Sequence, residues 1–174
     1  MQLQRFLRDG GTTADLLARY AIVAKRHREH PNLVLFKYNQ IASPMHERIV
    51  QECRGVILDA SDGWRVIARA FDKFFNHGEG HAAPIDWPTA RYLEKLDGSL
   101  CVVYHYADEW HVATTGTPDA GGDINGTGLR FSDLFWRTFG TAPGGFECSK
   151  SGPCFSCELM SPHNPVVVVH QEPR

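Results

Sequence analysis

A succession of short apolar runs, cut apart by turn residues, decides what this chain can fold into. Residues 33–38, 55–59, 64–69, 100–106 and 110–115 are each too short for a stable helix and carry Val, Ile, Leu and aromatic side chains, the pattern of strands. Ala60-Ser61-Asp62-Gly63 joins the second run to the third, and Ala107-Asp108-Glu109 joins the fourth to the fifth. Both linkers suit hairpins, so antiparallel pairing is predicted. Residues 154–160 and 166–169 read as the final strands. Two segments read as helices. One is capped by Thr12 or Thr13, carries Leu16, Leu17, Tyr20, Val23 and Ala24 on one face, and ends in Lys25-Arg26-His27-Arg28 ahead of Pro31. The other is marked by Phe131, Leu134, Phe135 and Phe139, capped near Ser132 and stopped by Gly140. The expected fold class is α+β, antiparallel sheets with flanking helices.

Between these elements, residues 45–52 suit an irregular stretch or a helical turn, and Pro84 and Pro88 break the chain before a strand that would carry Lys95. Residues 117–128, with four glycines and two aspartates, read as a flexible surface loop. The 25–28 cluster suits a solvated helix end better than an RNA contact.

At 174 residues one domain is expected, and a net charge of -2 means that any nucleic-acid contact must be a local patch. No run is long enough to span a membrane and the first residues are too polar for a signal peptide, so a cytoplasmic chain is expected. Five cysteines, an odd number, suit a reducing compartment. Cys148, Cys154, Cys157 and His163 make a poor zinc set, because only Cys154 and Cys157 are tightly spaced; the alternation of Phe155, Cys157 and Leu159 predicts a core-facing thiol.

The chemistry centres on Lys95-Leu96-Asp97-Gly98-Ser99. A lysine at a strand end, beside a glycine that lets backbone approach a ligand, becomes a covalent nucleophile if neighbouring cations and desolvation favour its neutral amine. The same residues also suit an exposed hairpin turn with a solvated lysine. Other blocks accompany it: Glu52-Cys53-Arg54-Gly55 and Lys73-Phe74-Phe75-Asn76 before, Thr114-Thr115-Gly116-Thr117 and Phe155-Ser156-Cys157-Glu158-Leu159-Met160-Ser161-Pro162 after. In this order and spacing, over about residues 33–169, the chain resembles the phage tRNA-repair type of ATP-dependent RNA ligase. That is a branch of the covalent nucleotidyltransferases that include DNA ligases and capping enzymes. The resemblance implies an ATP-grasp-like adenylylation domain, with residues 1–174 as its N-terminal portion.

It further implies that Lys95 attacks the α-phosphate of ATP and that Mg2+ or Mn2+ assists. RNA ends bearing 5′-phosphate and 3′-hydroxyl would be the partners. Arg54 and Lys73 would bind nucleotide phosphates, Glu158 the ribose, and Glu94 and Gly98 the base and backbone side of the site. Asp97, Ser99, Phe75 and Asn76 would support them, and no residue is assigned to metal. The 114–117 segment lacks the basic residue that the family often has there.

Two family blocks expected after Glu158 are absent: a Glu-Gly strand that binds metal and a Lys-x-Lys strand. Lys25, Lys37, Lys73, Lys95 and Lys150 are the only lysines, and no two have the Lys-x-Lys spacing. The expectation is therefore an incomplete module, needing a complementing C-terminal segment or chain. The competing expectation is a non-catalytic remnant that binds nucleotide or a partner. A DNA ligase or capping enzyme is disfavoured by the Cys-Arg-Gly and Lys-Phe-Phe-Asn blocks.

Overall fold

The computed structural model describes residues 1–140 and 154–174. Lys150 and Cys148 lie outside the described residues. Helix α1 is Gln2–Arg8 and α2 is Thr13–Tyr20. Strands β1 (Ile22–Arg26), β2 (Leu33–Tyr38), β3 (Arg54–Asp59) and β4 (Arg65–Ala68) form an antiparallel sheet in that order, with α3 (Arg48–Glu52) between β2 and β3. Strands β5 (Ser99–Tyr106), β6 (Glu109–Thr114) and β7 (Phe155–Leu159) form a second antiparallel sheet in the order β6-β5-β7, and α4 is Phe131–Gly140. The expected α+β class holds. Among the described residues no helix is long and apolar enough to cross a membrane.

Alternation on the strands sets the layering. Val34, Phe36, Val56 and Leu58 face Leu3, Leu7 and Leu16 of α1 and α2. Leu33, Leu35, Ile57 and Ala68, on the opposite face, pack on Val102, Tyr104 and Ala113 of the second sheet. The far face of that sheet, with Cys101, Val103 and Leu159, packs on Leu134 and Phe135 of α4, and Cys157 joins this core as its alternation predicts. Ala107 and Asp108 take φ of 50° and 63°, the doubly left-handed turn that matches the twist of a tight hairpin between β5 and β6.

Three local expectations need correction and a fourth needs refinement. The helix predicted to run through Ala24 stops at Tyr20: Thr12 and Asp15 cap its start reciprocally, and Ala21 ends it in the left-handed region at φ 52°. Ile22 and Val23 then enter a strand, where Ile22 is fully buried and pairing with β2 satisfies their backbone. Residues 117–128 form the expected surface loop, exposed at 122–123 and 125–128, but it is anchored: Ala120 and Ile124 are buried in the second sheet's core and Tyr104 Oη donates to Pro118 O at 2.8 Å.

The strand predicted ahead of Gly98 is missing. Apart from a short 3-10 turn at Trp87–Thr89, residues 69–98 are irregular, and among the described residues no strand edge lies beside 91–97. Residues 166–169 form no strand either. Val167 is 83% exposed, and the N–H groups of Val167 and Val168 donate to Asp97 Oδ2 at 2.8 and 2.6 Å. A carboxylate has taken the donors that a strand would have used.

Two features join the sheets. The register between β2 and β3 runs Phe36↔Val56 and then Lys37↔Arg54, leaving Gly55 as an extra residue. Gly55 has φ +86°, and a Cβ there would sit 2.9 Å from Thr115 Cα, just past the end of β6. This is a bulge that only glycine fills easily. At the other end, Asp59 is buried, and Asn32 Nδ2 and Ser61 Oγ donate to its Oδ1 at 2.9 and 2.6 Å. Tyr106 Oη of β5 donates to its Oδ2 at 3.0 Å.

Gly55→Ala is expected to destabilise the fold by about 1–3 kcal/mol through strain and the Thr115 clash; an unchanged urea midpoint would contradict the bulge. Burial pushes the Asp59 carboxyl up, but the hydrogen bonds from Ser61, Asn32 and Tyr106 outweigh it and leave it at about 2 against an ordinary 3.8. A lowered folded-state value stabilises the native state above the ordinary value and loses that contribution as pH falls through the lowered one. Stability measured from pH 5 to pH 2 should therefore fall less steeply in Asp59→Asn than in the unaltered chain.

Candidate functional site

The Gly55 bulge determines where Arg54 points. Without the extra residue, Arg54 would fall on the face that carries Val56 and Leu58; with it, Arg54 stands opposite Lys37, on the face turned toward the second sheet. Its guanidinium lies 4.4 Å from the centroid of the Phe74 ring. One terminal nitrogen, Nη1, is buried with no hydrogen-bond partner among the described residues. A buried donor left in this state costs free energy until an acceptor arrives.

Lys73 is placed by the irregular segment after β4. Its N–H donates to Gln51 O of α3 at 2.8 Å. The neighbouring Asp72 carboxylate accepts from Arg69 Nε at 3.1 Å and pairs with Arg48. Lys73 Nζ sits 4.8 Å from the centroid of the Phe75 ring. The two adjacent aromatics thus each support one cation, an arrangement worth about 0.5–2 kcal/mol apiece depending on desolvation. Asn76 joins them, its Nδ2 donating to Glu79 Oε1 at 2.7 Å.

Arg54, Lys73, Phe74 and Asn76 line a pocket of about 280 Å³ together with Lys37 and Thr115. No carboxylate lines it. Its volume falls just short of the roughly 300–1,000 Å³ of typical small-molecule sites, so it suits the charged part of a nucleotide rather than the whole. Three cations with no carboxylate in the lining favour an anion, although Glu79 lies within electrostatic reach of Lys73.

A second group of predicted residues gathers nearby. Glu158 Oε1 accepts from Gly98 N at 3.1 Å. Gly98 packs directly on Leu159 O, where a Cβ would clash. Across the second sheet Thr114, Cys101 and Cys157 are in register. Thr115 and Glu158 each lie one residue beyond that row, toward the start of β5, which puts them two strand spacings, about 10 Å, apart. The basic pocket and Glu158 therefore share one end of the second sheet.

Lys95 lies on the irregular chain leading into that end, a few residues ahead of Ser99. It is exposed, as is Glu94, and neither lines the pocket. The expected crowding of Lys95 by Arg54 and Lys73 is not seen in this arrangement. Asp97 is held below the usual carboxylate range first by the Val168 and Val167 N–H groups, with the Lys95 charge adding to them. Ser99 Oγ accepts from Asn164 Nδ2 at 2.7 Å. Cys154 exchanges hydrogen bonds with the backbone of Arg69. Lys37 was not singled out as a site residue; its only signal in the sequence is a charged side chain between Phe36 and Tyr38 in an otherwise apolar run.

Comparison with known proteins bears on this arrangement. A family model described as RNA ligase matches residues 52–139, a span that holds Arg54, Lys73, Lys95 and Thr115. An RNA ligase of Rhodothermus phage RM378 is 33% identical over 174 aligned residues, which cover 82% of this chain and 39% of that protein. A protein of Autographa californica nuclear polyhedrosis virus, named as a bifunctional polynucleotide kinase/RNA ligase, is 30% identical over 189 aligned residues, covering 99% of this chain and 27% of that protein. The chain spans well under half the length of either relative. Half of its residues match the family model, and that half contributes Arg54 and Lys73 to the pocket: the chain belongs to the RNA ligase family.

Proposed function

We propose that this chain is an adenylylation module of an ATP-dependent RNA ligase. The observation that carries the reading is the acid-free pocket in which Arg54, with an unpartnered buried nitrogen, meets Lys73 at the sheet end that holds Glu158 and leads back to Lys95.

In the proposed reaction the neutral Lys95 amine attacks the α-phosphorus of ATP. The bond from that phosphorus to the bridging oxygen breaks, pyrophosphate departs with the electron pair, and the nitrogen loses its proton to solvent. Arg54 and Lys73 offset the charge gathering on the phosphate oxygens, each such contact being worth about 3 kcal/mol in the transition state. Glu158, which keeps one carboxylate oxygen off the Gly98 bond, accepts from ribose hydroxyls. AMP then passes from Lys95 to the 5′-phosphate of an RNA end, and a 3′-hydroxyl attacks the activated phosphate and releases AMP.

The irregular segment around Lys95 must bring the amine to the pocket once nucleotide is bound. Mg2+ or Mn2+ would offset further charge on the triphosphate. Among the described residues no three acidic, His or Cys side chains are grouped to hold such an ion.

The exposure of Lys95, outside the pocket, favours a second reading: a remnant that binds nucleotide without covalent transfer. ATP labelled at the α-phosphate separates the two. The chain, alone and mixed with a C-terminal segment from a relative, should retain label after denaturation, and Lys95→Ala should abolish it. ATP binding with no label in either preparation would establish the second reading instead.

A further inference from the structure

The pocket holds a third cation. We infer that Lys37 is a phosphate-binding residue, contacting the polyphosphate of the nucleotide alongside Arg54 and Lys73; the inference rests on the nucleotide-binding reading above and adds a residue to that site.

Three observations converge on it. First, Lys37 and Arg54 are direct cross-strand partners at the bulge, where two like charges repel each other. Such a pair is retained at a net cost unless an anion lies between its members. Second, Lys37 has no carboxylate or carbonyl partner among the described residues, although its strand neighbours Phe36 and Tyr38 are buried. Its stem is held while its amine remains unpaired. Third, the amine rests against the turn after β6: a Cβ at Gly116 would lie 3.7 Å from Lys37 Nζ.

That turn offers Thr114, Thr115, Gly116 and Thr117, none of them charged. Thr114 Oγ1 is already committed, accepting from Gly116 N and Thr117 N, each at 3.2 Å. Positive charge on this side of the pocket comes instead from β2, through Lys37. The three cations surround the pocket from β2, β3 and the segment after β4, a spread suited to several phosphate oxygens rather than one carboxylate.

Lys37 also borders an adjoining groove with Lys25 and Ile41, which supplies a control of equal charge. Binding of ATP, inorganic tripolyphosphate and adenosine is measured by calorimetry for the chain and its variants, with thermal unfolding as the check on folding. Lys37→Met should weaken ATP and tripolyphosphate about tenfold, the effect of one charge-assisted contact. It should leave adenosine unchanged, and Lys37→Arg should retain binding. Lys25→Met should leave ATP affinity unchanged; an equal loss in both methionine variants would overturn the inference in favour of general electrostatics. If Lys37→Met binds ATP normally while Arg54→Met and Lys73→Met do not, Lys37 alone is wrongly assigned. Normal binding by all three would defeat the nucleotide reading itself.

Discussion

Everything at the candidate site depends on a backbone-to-backbone approach between two sheets. Gly55 meets Thr115 with no room for a Cβ, so at this point the sheets are separated by main chain alone, whereas Leu35, Ile57, Val102 and Tyr104 fill the space between them elsewhere. The tight spot has two effects. It closes one end of the inter-sheet core, and the extra residue that permits it rotates Arg54 out of the helix-facing layer. A single positive-φ glycine thus sets both the sheet packing and the direction of Arg54, and a side chain there would disturb both.

Charge at this end is arranged so that it stays unbalanced. Asp72 adjoins Lys73 in the chain and would be its natural counter-ion, yet its carboxylate is engaged by Arg69 and Arg48. Glu79 is hydrogen-bonded by Asn76 and faces Lys73 only at a distance, as a charge and not as a paired group. The pocket cations are held instead by aromatic faces, Arg54 on Phe74 and Lys73 on Phe75. A ring stabilises a cation without neutralising it. The potential left in the cleft remains available to a polyanion, which explains how a chain of net charge -2 can present a local anion site.

Much of this was readable in the sequence, and the rest was not for identifiable reasons. The hairpins followed from Asp62-Gly63 and Ala107-Asp108, because tight turns depend on their own residues. Arg54 and Lys73, from separate blocks, line one pocket, and Gly98 and Glu158, from two others, share a hydrogen bond. The start of β1 was misread because Val23 and Ala24 continue the helical period of α2, and only the left-handed Ala21 and the waiting edge of β2 overrule it. Helix α1 was missed because its stability is tertiary, from Leu3 and Leu7 in the core and Leu3 N on the buried Glu52 carboxylate at 3.0 Å. Lys37 reaches the pocket only through a register shift, which no local pattern announces.

The pocket cations and the proposed nucleophile are held very differently. Arg54 and Lys37 stand on paired strands, so moving either would break ladder hydrogen bonds and disturb a packed core. Lys95 lies on a stretch with no strand partner among the described residues, tethered downstream by Gly98 on Glu158 and by Asp97 on Val167 and Val168. Repositioning its amine breaks no sheet; the cost is the entropy of ordering the side chain, about 2 kcal/mol, and about 1–2 kcal/mol for each backbone residue that becomes fixed. Cations that must meet a preorganised charge distribution gain from being fixed, because reorganisation during the reaction would cancel their benefit. On the proposed reading Lys95 acts in two successive steps, first toward one phosphate and then away from it, and such a group gains from a tether that lets it approach and withdraw.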